Sequence, residues 1–596
     1  MIHSRIPNRM RTGPVSSFVG SHLSTNKRLV TRFLFLAIIL DPLIFIWQGG
    51  DLTDSGFHAL RAQNFFADIH SAMMPSDGIL SYFIGGMWWQ LFPGLGLFGF
   101  HLLGALLVIA GSFAPFYALR ELREHPVVSL FAILAAQAFL IRINLSFGYD
   151  FVSFFFQYWA VAFLLRGLEG QKGSLLFLAG SFIAAAALAR VPSILSLGLI
   201  VLPLVWKDKV LPFLPDNNKR FSVPFVAIKR MALFMAGFLS ACLLAIAIGL
   251  ATGVADAYFD GLVNLFASSQ QGGSHNKGVL FSKYYTDAVL TLQWLGVVLL
   301  WVLAAWGVFH RRAPRWGGLV FAAATAVALF IWLADPAAPG YFHPLKYLVL
   351  AIYGTWSVLI AIGVLKTSPA LRTMAVAGLI LTCIGFLGSN TGLLKTKNGM
   401  LFLVPACTIS AWYGSMERFA DMTRKWKRIA LVLAGLLFVS SFAARFGYVY
   451  HVSSRFLDRL SFTHAYSTPM MFGIRSSKER VVFVDGIVPR INETEPQSEI
   501  LVFGRTPALY FLTERRPFIK EVWLGENKYS ANTIRQSIDQ RLSQGADLPL
   551  IVITDPGVLG PEGTVMIGDF LNEYRYIKVT ESPESSTLPW EIWSPK

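Results

Sequence analysis

The sequence predicts a polytopic α-helical membrane protein with a small C-terminal α/β soluble domain. Three observations carry that prediction. Apolar runs of about 20 residues recur along a 596-residue chain that is 54% hydrophobic and 14% charged, with a mean hydropathy of +0.53. Lys and Arg gather in alternate short connections between those runs. Beyond about Phe446 the composition becomes that of a water-soluble domain.

The first run spans about 32–48. A polar stretch precedes it, and Gln48-Gly49-Gly50-Asp51 offers no small-x-small cleavage site, so it reads as a retained helix and not a cleaved signal. Twelve further spans follow at roughly 97–118, 126–142, 151–167, 173–189, 193–206, 231–253, 288–309, 316–334, 345–365, 373–389, 399–414 and 429–445, which makes about 13 in all. The segment 79–92 is short and aromatic-rich, and it reads as an interfacial helix.

Alternate connections hold 25 Lys and Arg against 8 in the others, enough to orient the chain. The N-terminus is expected inside. The long loops 49–96 and 254–287, and the C-terminus, are expected outside. The net charge of +16 follows this pattern and points to a membrane, with no nucleic-acid partner. Cys242, Cys383 and Cys407 all lie in apolar runs, show no metal spacing, and read as buried small hydrophobes.

The transmembrane part covers 1–445 and is expected to carry the activity, and the soluble part covers 446–596 and is expected to carry none. In the latter, Val481–Val484, Ile500–Phe503 and Leu550–Ile553 are continuous apolar runs of the kind found in buried strands. Residues 528–544 are helix-like, so an α/β arrangement is expected. No Gly-rich phosphate loop appears.

The candidate chemistry lies directly after the first span, in Gly49-Gly50-Asp51-Leu52-Thr53-Asp54-Ser55-Gly56-Phe57-His58. On a helix, Asp51, Asp54, His58 and Arg61 share one face. Two carboxylates, an imidazole and a guanidinium at a membrane surface suggest chemistry on a charged, lipid-linked substrate. The plain alternative for Asp54 is a helix N-cap before a helix over 55–68. External cations are Arg61, Arg142, Arg190, Lys277, Lys283, Lys346 and Lys395. Arg190 sits at a break between two spans, where a charge is costly unless it lines a cavity. Asp150 opens a span on the same side. The Gly-rich stretch 268–278 with Lys283 and Tyr284, and the turn around Asn390, are polar external segments. Asp41 lies inside the first span, next to Pro42, and reads either as a site residue or as a pairing residue within the bundle.

This layout, with Asp54-Ser55-Gly56-Phe57-His58 in the first external loop and Ile500-Leu501-Val502-Phe503-Gly504-Arg505-Thr506-Pro507 after the last span, resembles the GT-C glycosyltransferases. The nearest types are the bacterial ArnT-like and protein O-mannosyltransferase-like enzymes. Ser55 stands where many members carry Glu.

The resemblance implies a polyprenyl-phosphate sugar donor and an envelope lipid, glycan or protein acceptor. It places transfer with inversion on the outer face of the bacterial cytoplasmic membrane. Such a reaction needs a base near the acceptor and positive charge near the leaving phosphate. Asp54 is then the first choice of base and Asp51 the second, with His58, Arg61, Asp150, Arg190, Lys277, Lys283, Tyr284, Lys346, Asn390 and Lys395 as substrate-binding candidates. No cofactor is required, and a divalent ion held by Asp51 and Asp54 stays open. Two other readings remain at this stage: a flippase for a lipid-linked saccharide, and an oligosaccharide polymerase or ligase. A flippase would want ionisable groups deep in several spans, whereas here the charges gather at the boundary.

Overall fold

The computed structural model describes residues 16–67, 78–140, 146–206, 225–268, 277–309, 343–365, 367–385, 387, 392, 397–419, 458–494, 498–524, 530–555, 557–583 and 586–596. The expected spans 316–334 and 429–445 lie outside them.

Helix α1 runs Ser16–Leu40 and stops where Pro42 opens a 3-10 turn, Asp41–Leu43. Proline has no N–H for a continuing helix, so the first span ends earlier than expected. Asp41 is buried there. Next come α2 (Asp54–Asn64), α3 (Ile79–Leu91), α4 (Gly96–Ser112), α5 (Ala114–Ala118), α6 (Arg120–Glu124), α7 (Pro126–Leu140), α8 (Tyr149–Gly170) and α9 (Gly173–Ala189). The segment read as interfacial is α3. The expected span 193–206 is an unusual 3-10 helix, Val191–Val201, continued by a short α-turn, Leu202–Val205.

Helices Phe225–Ala251, Lys277–Phe309, His343–Ala361, Pro369–Gly385 and Lys397–Phe419 continue the bundle. The stretch 254–287, expected as one polar loop, contains a further helix, Ala255–Ser268, and the first turns of Lys277–Phe309.

Among the described residues, three helical stretches are long and apolar enough to cross a membrane: Pro93–Ala118, Tyr149–Gly170 and Phe225–Ala251. Phe225–Ala251 leaves Leu239, Leu243, Leu244, Ile248 and Leu250 exposed. A water-soluble protein rarely shows so continuous an apolar face, whereas lipid accepts it. Of the cysteines, Cys407 is buried as expected, but Cys242 is half-buried and Cys383 is exposed. An apolar run in a lipid-facing helix does not imply burial in protein.

The connections sort to two ends. At one end the Arg120 N–H donates to Glu169, Arg166 pairs with Glu169 at 3.2 Å, and Ser368 donates to Glu121 at 2.7 Å. At the other end gather the loop after α1, helices α2 and α3, and the starts of α4 and α8.

At that second end sits a mixed four-stranded sheet, apart from a small antiparallel pair, β1 (His464–Ala465) and β2 (Arg475–Ser476). Strands β3 (Ile500–Phe503) and β4 (Leu550–Ile553) run parallel, with Ile500 opposite Leu550. Strand β6 (Glu591–Ser594) is antiparallel to β4 and to β5 (Ile577–Glu581).

Ile500, Val502, Leu550, Val552 and Ile592 share one core with Phe57, Leu60, Tyr82 and Phe100. Leu501, Phe503, Ile551 and Ile553 face helices Ala531–Ser543 and Gly560–Glu573. Both faces of β3 and β4 are covered, which explains their unbroken apolar runs.

The run Val481–Val484, expected as a strand, lies instead in helix Lys478–Glu493. Its buried residues Phe483, Val484, Ile487, Val488 and Ile491 recur at helical spacing. Four β-branched and aromatic neighbours mimic a strand locally, and the longer period decides the outcome.

Candidate active site

The acidic loop is shaped by Gly49 and Gly50, both at positive φ (114° and 85°). A Cβ on Gly50 would lie 2.8 Å from Met471 Cε, so the loop passes tightly under residues 466–474. Asp51 follows and is fully buried. Its Oδ1 accepts from the Thr53 N–H at 2.9 Å and from the Thr53 hydroxyl at 2.5 Å. Its Oδ2 accepts from the Ser55 N–H at 2.8 Å and from the Ser55 hydroxyl at 3.1 Å. This is helix capping in chemistry, one turn ahead of α2.

The cap alternative weighed for Asp54 therefore belongs to Asp51. Asp54 is the first residue of α2, and Thr53 at the N-cap position makes no side-chain capping bond. With both its oxygens engaged, Asp51 makes a poor acceptor for a substrate proton. A divalent ion shared by Asp51 and Asp54 would need oxygens that the loop already occupies.

Helix α2 carries Asp54, His58 and Arg61 along one face, with Asp51 set back in the loop. Asp54 and His58 are half-buried. His58 Nδ1 lies 2.8 Å from the Tyr82 hydroxyl, and its ring meets Tyr149 edge-on at 5.0 Å. Gly148 permits that approach, because a Cβ there would lie 3.0 Å from His58 Cδ2. The Arg61 guanidinium stacks over Phe57 at 4.1 Å, with Tyr82 at 5.4 Å.

The same aromatic group leads to the break after α9, where the structure forms an ion pair. Asp150, adjacent to Tyr149, lies 3.0 Å from Arg190 Nε. Arg190 is almost wholly buried, and its Nη1 has no hydrogen-bond partner among the described residues. Ser81 on α3 donates to the Ala189 carbonyl at 2.9 Å, which ties the interfacial helix to this break. One turn deeper, the Ser153 and Ser193 hydroxyls lie 2.7 Å apart. Asp150 and Ser153 share a face of α8, and Ser193 lies in the first turn of the 3-10 helix that Arg190 precedes, so the contacts form a polar seam.

Lys283 belongs to a separate cluster. It pairs at 3.3 Å with Asp287, which is almost completely buried and also accepts from the Tyr347 hydroxyl at 2.6 Å. Gly392 closes over this group, because a Cβ there would lie 2.0 Å from Asp287 Oδ2. Asp287 and Tyr347 were missed in the sequence. The available signal was an acid one helical turn from Lys283 at the head of an apolar run. Tyr284 is half-buried beside this cluster. Arg142, Asn390 and Lys395, and the side chains of Lys277 and Lys346, lie outside the described residues.

Two cations from beyond residue 446 were also missed. Arg459 is buried with its guanidinium 4.4 Å above Phe45, and burial pushes it down to about 10. Arg480 donates to the Gly50 carbonyl at 3.3 Å. Burial lowers its pKa, while Tyr466 and Asp51 act in the opposite direction. Among the described residues, no group of three His, Cys, Asp or Glu is arranged to hold a metal ion.

No family model matches the sequence, and no curated protein matches it. Among solved structures the chain is similar to the archaeal oligosaccharyltransferase AglB from Archaeoglobus fulgidus in complex with an inhibitory peptide and a dolichol-phosphate. That likeness has 12% identity and a TM-score of 0.44, over 98% of this chain and 75% of that one. The apo form of the Archaeoglobus fulgidus oligosaccharyltransferase gives 11% identity and a TM-score of 0.46, over 98% and 75%. ArnT from Cupriavidus metallidurans bound to undecaprenyl phosphate gives 12% identity and a TM-score of 0.42, over 96% and 98%.

Proposed function

We propose that this chain is a GT-C type membrane glycosyltransferase. It transfers a sugar from a polyprenyl-phosphate donor to an envelope lipid, glycan or protein acceptor on the outer face of the bacterial cytoplasmic membrane. One observation carries the reading: the Asp54 helix and the buried Arg190 meet at one end of an apolar bundle, linked through His58, Tyr82, Tyr149 and Asp150. In this reading Asp54 takes the acceptor proton, since Asp51 is spent on the loop. Arg190, with its unspent Nη1, stabilises the leaving phosphate. His58 orients the acid-bearing helix against Tyr82. Thirteen spans, an N-terminus inside and a C-terminal α/β domain outside complete the layout, on the strength of the Lys/Arg alternation.

The test is mass spectrometry of envelope glycans from a deletion strain, complemented with the wild-type chain or with Asp54→Asn. Loss of one sugar, restored by the wild type alone, is expected. Loss of a whole glycan would point to a flippase or ligase and overturn the reading. Reporter fusions after Lys427 and after Ser453 are expected to report opposite sides, and agreement between them would remove the last span.

A further inference from the structure

The acidic loop owes its conformation to a distant part of the chain. The Trp47 carbonyl accepts from the Arg475 N–H at 2.7 Å, and the Gly49 N–H donates to the Arg475 carbonyl at 2.9 Å. The Gly50 carbonyl accepts from Arg480 Nη1, 430 positions away. The Leu52 carbonyl accepts from the Ala508 N–H at 3.0 Å. Four backbone groups in six residues are thus met from beyond residue 458. Packing follows the same route. A Cβ on Gly56 would lie 2.3 Å from Ala508 Cβ and 2.5 Å from its Cα, so α2 touches backbone there. Phe57 packs on Trp523 at 5.2 Å between ring centroids.

We propose that Arg480 is a positioning residue for Asp54, reaching the acidic loop from beyond residue 458. The chain of contacts is short. Arg480 fixes the Gly50 carbonyl and places a cation beside the buried Asp51 carboxylate. Asp51 in turn holds the Ser55 N–H, which sets the first turn of α2, and Asp54 lies in that turn. Removing the guanidinium frees a backbone carbonyl and takes away a charge that favours the buried Asp51 carboxylate, so the first turn of α2 loosens. The role given to Asp54 rests on the glycosyltransferase reading; the clamp itself does not.

The experiment compares full-length Arg480→Ala, Arg480→Lys and the exposed-site control Lys478→Ala. Amide hydrogen exchange over 49–56 is read in the purified protein, and turnover is read as kcat and KM separately. Arg480→Ala is expected to speed exchange over 49–56 about tenfold or more while Ile500–Phe503 and Leu550–Ile553 keep their protection, which certifies the fold. It is expected to lower kcat on the order of 100-fold, the cost of misplacing a reacting group by about 1 Å, with donor KM within about twofold. Arg480→Lys is expected to restore part of both, since it keeps the charge and loses the fork. Unchanged exchange over 49–56 in Arg480→Ala would overturn the clamp. Faster exchange with wild-type kcat would overturn the positioning role. If the wild type transfers no sugar, the glycosyltransferase reading fails, and the exchange measurement still decides the clamp.

Discussion

Asp51 and Ser55 are joined twice: Oδ2 of the buried carboxylate accepts both the backbone N–H and the hydroxyl of Ser55. The two acids of the first loop therefore have different work. Asp51→Asn removes a charge and turns one acceptor into a donor facing the donors of Thr53 or Ser55. A loss of about 1–3 kcal/mol in stability is expected, read as a lower Tm. Asp54→Asn is expected to leave Tm unchanged and to lower turnover on the order of 100-fold, as for loss of a general base. The reverse pattern, a stable and inactive Asp51→Asn beside an active Asp54→Asn, would exchange the roles.

Arg190 is a cation almost wholly buried against Asp150. Removing one partner leaves the other charge uncompensated, which typically costs about 3–5 kcal/mol. Asp150→Ala is therefore expected to destabilise the protein more than Asp150→Ala combined with Arg190→Leu. A double-mutant cycle in detergent measures this. Additive costs would mean that water, and not Asp150, solvates the guanidinium.

Glu121, at the opposite end of the bundle, gives a pH dependence with a definite sign. Burial raises its pKa, Glu169 and Glu124 push it further up, and the hydrogen bond from Ser368 opposes them. A folded-state pKa above the unfolded one means that the protonated form is favoured by folding. That contribution is present below the ordinary carboxylate value of about 4.3 and is lost as pH rises through the raised value. At pH 8 the ionised, desolvated Glu121 is a cost. Glu121→Gln keeps an acceptor for Ser368 and removes the charge. Its Tm is expected to exceed that of the wild type at pH 8, with the gap closing as pH falls toward 4. An equal gap at both pH values would show that the carboxyl is not desolvated.

How much of this was legible in the sequence depends on the range of each interaction. Periodicity and apolar run length are local, and they placed α3, α8 and α9, and strands β3 and β4, within a few residues. The pairing of Arg190 with Asp150 was half-legible: a cation at a break between spans and an acid at the head of another had both been singled out, without their contact. Arg480 and Arg459 could not be found this way, because their partners Gly50 and Gln48 lie over 400 positions away and arginine on a soluble surface is ordinary. The shared helix face expected for Asp51 fails because its spacing from Asp54 fits a helix that in fact starts only at Asp54. Val481–Val484 was misjudged because four residues do not distinguish a strand from a buried helix face.

A close approach between two helices supplies the last prediction. A Cβ on Gly180 of α9 would lie 1.8 Å from the Phe234 carbonyl oxygen, and one on Gly237 would lie 1.9 Å from the Phe177 carbonyl oxygen. Each obstacle is backbone, so no side chain can move aside. The Ser181 hydroxyl also reaches the Gly237 carbonyl at 3.0 Å across this contact. Small residues let two helices meet closely enough for packing and hydrogen bonding where lipid supplies no hydrophobic drive. Gly180→Ala and Gly237→Ala should each force the helices apart, at a cost of about 1–3 kcal/mol. Gly249→Ala, on the same helix as Gly237, meets its nearest atoms at 3.6 Å, an ordinary contact. It should be neutral or stabilising by about 0.5–1 kcal/mol, because alanine restricts the unfolded chain more than glycine does. Thermal unfolding of the three variants in one detergent decides the point. Gly180→Ala and Gly249→Ala melting together would mean that α9 and Phe225–Ala251 do not pack through their glycines.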